Sequence, residues 1–151
     1  MFILYKWMLR LFGWNVWVIE QPEETRQKAA QFQQQFNELG CSAAFIELLL
    51  LILLAVVLYY FWWSNGSSKR FKYRYRVQWW ILWLFASAIV TALLTPGILS
   101  VIFLDVPFNF KAALVAVSIC NFLYSIILFF VSSIIITKAC PQSTNASCTP
   151  F

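Results

Sequence analysis

Polar and apolar positions along this chain fall into long blocks rather than short alternations. Three blocks are apolar almost without interruption: residues 43–63, residues 77–95 and residues 112–137. A helix rises about 1.5 Å per residue and the hydrocarbon core of a bilayer is about 30 Å thick, so about 20 apolar residues suffice to cross it. Each block meets that length, and Glu47 is the one charged residue inside any of them. The pattern predicts an all-α integral membrane protein with three transmembrane helices.

The blocks before the first span read as two further helices. In residues 1–20, Lys6, Arg10, Gly13, Trp17 and Glu20 fall on one strip at spacings of three and four, with apolar side chains elsewhere. This predicts an N-terminal amphipathic helix lying in the membrane interface, its cations in the headgroups and Trp7, Trp14 and Trp17 at the boundary they prefer. A fourth span and a helix buried against a partner are the competing readings. The span would place two cations inside the bilayer, at about 2.5–3.5 kcal/mol each near its centre. A cleavable signal is not expected, since Lys6 and Arg10 interrupt the apolar run and no Ala-x-Ala follows.

Residues 21–42 turn polar. Pro22, Glu23 and Glu24 suit a helix opening. Ala29, Phe32, Phe36 and Leu39 then recur at helical spacing among glutamines. This is an external amphipathic helix leading into the first span, and Gly40 to Ala44 need not break it. Its Phe32–Phe36 edge needs a cover, which marks those two residues as a candidate assembly contact.

Between the first two spans lie a Ser64–Ser68 turn and the run Lys69, Arg70, Phe71, Lys72, Tyr73, Arg74, Tyr75, Arg76. Trp62 and Trp63 precede it, and Trp79, Trp80 and Trp83 follow. Tryptophans gather at bilayer boundaries and Lys/Arg-rich loops stay inside, so the loop 64–76 is expected to be cytoplasmic and bound to anionic headgroups. The residue 21–42 helix and the Asp105–Lys111 loop then lie outside, and the tail 138–151 is cytoplasmic. Pro96-Gly97 either bends the second helix or ends it. The organisation is thus 1–20 interfacial helix, 21–42 external helix, 43–137 membrane domain and 138–151 tail, in a plasma membrane of the bacterial inner-membrane kind.

Composition agrees: 62% of residues are hydrophobic, 19% aromatic and 11% charged, far from the roughly 25% charged of soluble domains. The net charge of +5 reflects the basic loop and not a nucleic-acid surface. No histidine is present, the four cysteines form no Cys-x-x-Cys, and no nucleophile–base pair or phosphate loop occurs. No enzyme activity, metal or cofactor is expected. Cys140 and Cys148 lie on the side where thiols stay reduced.

Five intramembrane polar residues break the apolar rule. Glu47 sits about one turn inside the first span, where a carboxylate is costly unless paired or watered. It suits a cation or proton site, a wet position near the interface, or a link to Lys111. Ser87, Thr91 and Thr95 recur every four residues below Trp83, as a packing stripe or a narrow pore lining, and Asn121 has the same two readings. The function expected is a non-enzymatic, oligomerising scaffold subunit of a cell-envelope membrane complex, its partners lipids, its own copies or other membrane subunits. The alternative is a small homo-oligomeric channel or pore former of holin-like or immunity type.

Overall fold

The computed structural model describes residues 3–63 and 73–139, with residues 61–63, 73–77, 137 and 139 described by their backbone alone. Lys69, Arg70 and Lys72, the Ser64–Ser68 turn, Cys140 and Cys148 lie outside the described residues, as do the side chains of Trp62, Trp63, Arg74 and Arg76.

Among the described residues the chain is helical and has no strand. Helices α1 (Ile3–Leu11) and α2 (Trp14–Trp17) are followed by α3 (Glu23–Gln35), a π-helical turn (Phe36–Gly40), α4 (Cys41–Val57) and a second π-helical turn (Leu58–Trp63). Then come α5 (Tyr73–Ile102) and α6 (Lys111–Ala139). Among the described residues, three helices are long and apolar enough to cross a membrane: Glu23–Tyr60, Gln78–Ile102 and Lys111–Ile136.

The first of these is one unbroken helix of 38 residues, about 57 Å long. The composition switches from polar to apolar at Cys41, but no residue there stops the helix. Pro22 opens it: with φ fixed and no N–H to satisfy, proline tolerates the boundary where α3 begins. α5 likewise runs through Pro96 to Ile102, so the residues after Pro96-Gly97 continue the helix. α4, α5 and α6 pack together as a bundle, and α1 packs on α6.

The N-terminal segment packs on the chain's own bundle. α1 has nine residues, about 13 Å, too short to span. The turn after it contains Gly13, whose φ of 73° sits in the left-handed region that glycine enters without steric penalty. Tyr5, Met8, Leu9 and Trp14 are buried against the chain's own bundle, while Lys6, Arg10 and the apolar Ile3, Trp7 and Leu11 are exposed. The segment is docked on the bundle as well as amphipathic, because residues 5, 8 and 9 make an inward stripe.

The Phe32–Phe36 edge requires a correction. It is not left open for another subunit: both rings are buried by this chain itself. Phe32 meets Phe103 at 5.5 Å and Phe110 at 5.4 Å, and Phe36 meets Trp14 at 5.2 Å and Phe103 at 5.5 Å between ring centroids. The loop after α5 and the segment α2 come back over α3, an arrangement that helical spacing in α3 does not encode. Trp80 is buried inside the bundle and donates from Nε1 to Ser133 Oγ at 3.0 Å. Trp79 is exposed and Trp83 half-buried.

Candidate functional site

The polar residues of the spans converge on one another inside the bundle. Ser87, Thr91 and Thr95 occupy one face of α5 because they recur every four residues. Each hydroxyl donates back into its own helix: Ser87 to the Leu84 carbonyl at 2.9 Å, Thr91 to Ser87 at 2.8 Å and Thr95 to Thr91 at 2.8 Å. Thr91 and Thr95 are fully buried. The stripe therefore faces packed protein and lines no open channel within the chain.

Asn121, on α6, joins four elements. Its amide nitrogen donates to the Ala44 carbonyl of α4 at 3.1 Å and to Thr95 Oγ1 of α5 at 2.8 Å. Its Oδ1 accepts from the Tyr5 hydroxyl of α1. Both N–H groups and an acceptor lone pair are thus used, which is the condition for burying an amide at low cost. Around this node Cys120 Sγ lies 3.7 Å from the Leu4 carbonyl, and the Tyr5 and Tyr124 rings are 5.5 Å apart.

Glu47 lies one turn beyond Ala44 on α4 and is 7% exposed. Neither carboxyl oxygen has a hydrogen-bond partner of sound geometry. The Thr95 side chain bears on it, but that hydroxyl proton is committed to the Thr91 carbonyl. Lys111 is exposed at the start of α6 and forms no ion pair with Glu47; among the described residues the ion pair is Arg26–Glu23, at 3.8 Å. Ser125, one turn from Asn121 on α6, is also buried with an unpartnered hydroxyl.

The structure thus brings Thr95 and Asn121 into contact, places Glu47 beside Thr95, and keeps Ser87 and Thr91 as in-helix donors. It takes Phe32 and Phe36 away to a separate aromatic cluster. Sequence reasoning missed Tyr5 as the fourth corner of the node. The signal available was the apolar stripe Tyr5, Met8, Leu9, with a hydroxyl at its head. Among the described residues no group of His, Cys, Asp and Glu has the arrangement to hold a metal, and Cys41 and Cys120 are free thiols in the interior. No protein-family model, curated protein or solved structure matches the chain.

Proposed function

We propose that the chain is a non-enzymatic, multi-pass scaffold subunit that oligomerises and holds part of a membrane complex in register. The observation that supports the reading is the rigid union of the polar α3 with the first candidate span. The helix is continuous from Glu23 to Tyr60, and its junction is clamped by Phe32 and Phe36 among Trp14, Phe103 and Phe110. The arm carries exposed Gln27, Lys28, Gln31 and Gln35. A polar helix that cannot swing against its anchor suits docking at a fixed distance from the bilayer. The basic loop 64–76 and the tail face the cytoplasm of a bacterial inner membrane, and α3 faces outward, by the bias of Lys and Arg.

The channel reading draws on Glu47, a buried carboxyl without a partner, since ionisable groups at membrane depth often mark ion pathways. Thr91, Thr95, Val117 and Asn121 fill the bundle centre, so any conducting path runs between copies. A photo-crosslinker at Gln27 or Gln31, followed by size analysis in nanodiscs, tests the scaffold. Adducts with another copy or another membrane protein are expected. A monomer without adducts removes the proposal.

A further inference from the structure

We infer that the chain holds one zwitterionic aminophospholipid of the phosphatidylethanolamine type, headgroup in the cleft between α1 and the α3–α4 junction and acyl chain in the groove below. The inference rests on the multi-pass membrane reading and not on the scaffold role. The cleft has a volume of about 480 Å³ and is lined by Lys6, Gln33, Gln34, Asn37, Glu38 and Ser42. It sits where the polar arm becomes the apolar α4, the level of a lipid headgroup.

The walls of the cleft are preset in sign. Asn37 Oδ1 accepts from Trp14 Nε1 at 3.1 Å, which leaves the Asn37 amino group as a donor. Gln33 Nε2 donates to the Trp14 carbonyl, which leaves Gln33 Oε1 as an acceptor. Gln34 Nε2 holds Glu38 Oε1 at 3.3 Å. The cleft therefore offers two donors, the Lys6 ammonium and the Asn37 amino group, and two acceptors, the Glu38 carboxylate and Gln33 Oε1. Lys6 and Glu38 line the same space without pairing with each other.

A phosphate with a primary ammonium two carbons away matches that pairing of donors and acceptors. The phosphate takes Lys6 and Asn37, and the ammonium donates to Glu38 and Gln33 through charge-assisted bonds. A phosphatidylglycerol headgroup has no cation for Glu38. A trimethylated choline has no N–H to donate.

The acyl chain has a path as well. Ser42, Ile46, Leu49 and Leu53 lie on one face of α4 at spacings of three and four, and Ile46, Leu49 and Leu53 are exposed. Leu49 and Leu53 also line an apolar groove of about 420 Å³ between α4 and α6, with Leu128 and Ile136 across it. From Ser42 to Leu53 the helix rises about 16 Å, close to half of the ~30 Å hydrocarbon core. Headgroup cleft and tail groove thus share one helix face at the separation a single leaflet requires.

Native mass spectrometry of the full chain, extracted in mild detergent from vesicles of equal phosphatidylethanolamine, phosphatidylglycerol and phosphatidylcholine, tests this. One phosphatidylethanolamine per chain is expected, retained about tenfold over either competitor, an effect of about 1.4 kcal/mol. Glu38→Gln should erase the preference over phosphatidylglycerol, and Lys6→Gln should lose retention of both. Gln27→Ala, on the outer face of α3, should change nothing. Both test residues are exposed, and unchanged helicity checks that the variants fold. Glycerophosphoethanolamine, a headgroup without tails, should not displace the lipid; displacement would remove the tail groove from the site. No retained lipid, equal retention of all three, or indifference to Glu38→Gln and Lys6→Gln each overturns the inference. Particle size in the same spectra reads the scaffold separately.

Discussion

Tyr5 and Asn121, 116 positions apart, are hydrogen-bonded in the interior of the bundle, the tyrosine hydroxyl donating to the amide oxygen. This contact closes a node whose other bonds reach Ala44 and Thr95. The shortest helix in the path, α1, is thereby tied to all three long ones. An interhelical hydrogen bond in a membrane protein contributes only about 0.6–2 kcal/mol, but a buried group left without its partner costs about 1–3 kcal/mol.

Tyr5→Phe and Asn121→Leu should each lower stability by about 1–2 kcal/mol, since each strands a polar atom of the other. The double variant should cost less than the sum, because no orphan remains at that contact. Unfolding in mixed micelles, followed by loss of helicity, measures all three. Strict additivity would mean that the two side chains do not meet.

Phe36→Ala should cost about 3–5 kcal/mol, the usual price for emptying a fully buried aromatic site. Its ring touches Trp14, Phe103 and Phe110 of the same chain. Limited trypsin digestion should then cut after Arg26 and Lys28 faster than in the parent. Particle size should hold while the bundle is folded, since the contacts are internal. A smaller particle at unchanged stability would return Phe36 to an interface between subunits.

Two helical glycines should respond in opposite directions. A Cβ at Gly40 would stand 3.2 Å from Phe103 Cε2 and 3.2 Å from Phe36 Cδ2. Those rings are wedged in the aromatic cluster and have little room to retreat. Overpacking of about 1–3 kcal/mol then exceeds the gain of about 1 kcal/mol in helix propensity, so Gly40→Ala destabilises. Gly97 has nothing within 4 Å of the same position, so Gly97→Ala should stabilise α5 by about 0.5–1 kcal/mol. Thermal unfolding of the two variants side by side reads the contrast.

The spans were legible in the chain because a long apolar block is a signal of length alone, and residues 43–63 and 112–137 coincide closely with helical segments of α4 and α6. The continuity of α3 into α4 was legible too, because nothing between Gly40 and Ala44 stops a helix. What periodicity does not carry is which distant face covers a stripe. The Phe32–Phe36 edge was visible, but its cover comes from Trp14, Phe103, Phe108 and Phe110, spread over 97 positions from Trp14 to Phe110. Tyr5 was hidden for the same reason: its partner lies on the last helix. Asn121 announced itself as a polar residue in an apolar run, yet only the fold supplies the three groups that satisfy it.

Glu47 separates scaffold from channel. Its carboxyl is buried with no partner, and an unpaired polar group costs about 1–3 kcal/mol on mutational scales. If it serves no pathway, Glu47→Leu should raise the temperature of unfolding and leave assembly intact. In a channel whose lumen it faces, Glu47→Gln should shift cation selectivity, because a group bordering the path alters the field that passing ions feel. A cation on a neighbouring copy would give a third pattern, in which either substitution weakens the oligomer. Planar-bilayer recording of purified wild-type protein, together with unfolding and particle-size measurements on both variants, distinguishes the three. The expected result is no conductance, a stabilised Glu47→Leu chain and an unchanged particle, since the centre of the bundle is filled by Thr91, Thr95, Val117 and Asn121. Robust wild-type currents whose selectivity changes in Glu47→Gln would overturn the scaffold and make this carboxyl the lining of a pore between copies.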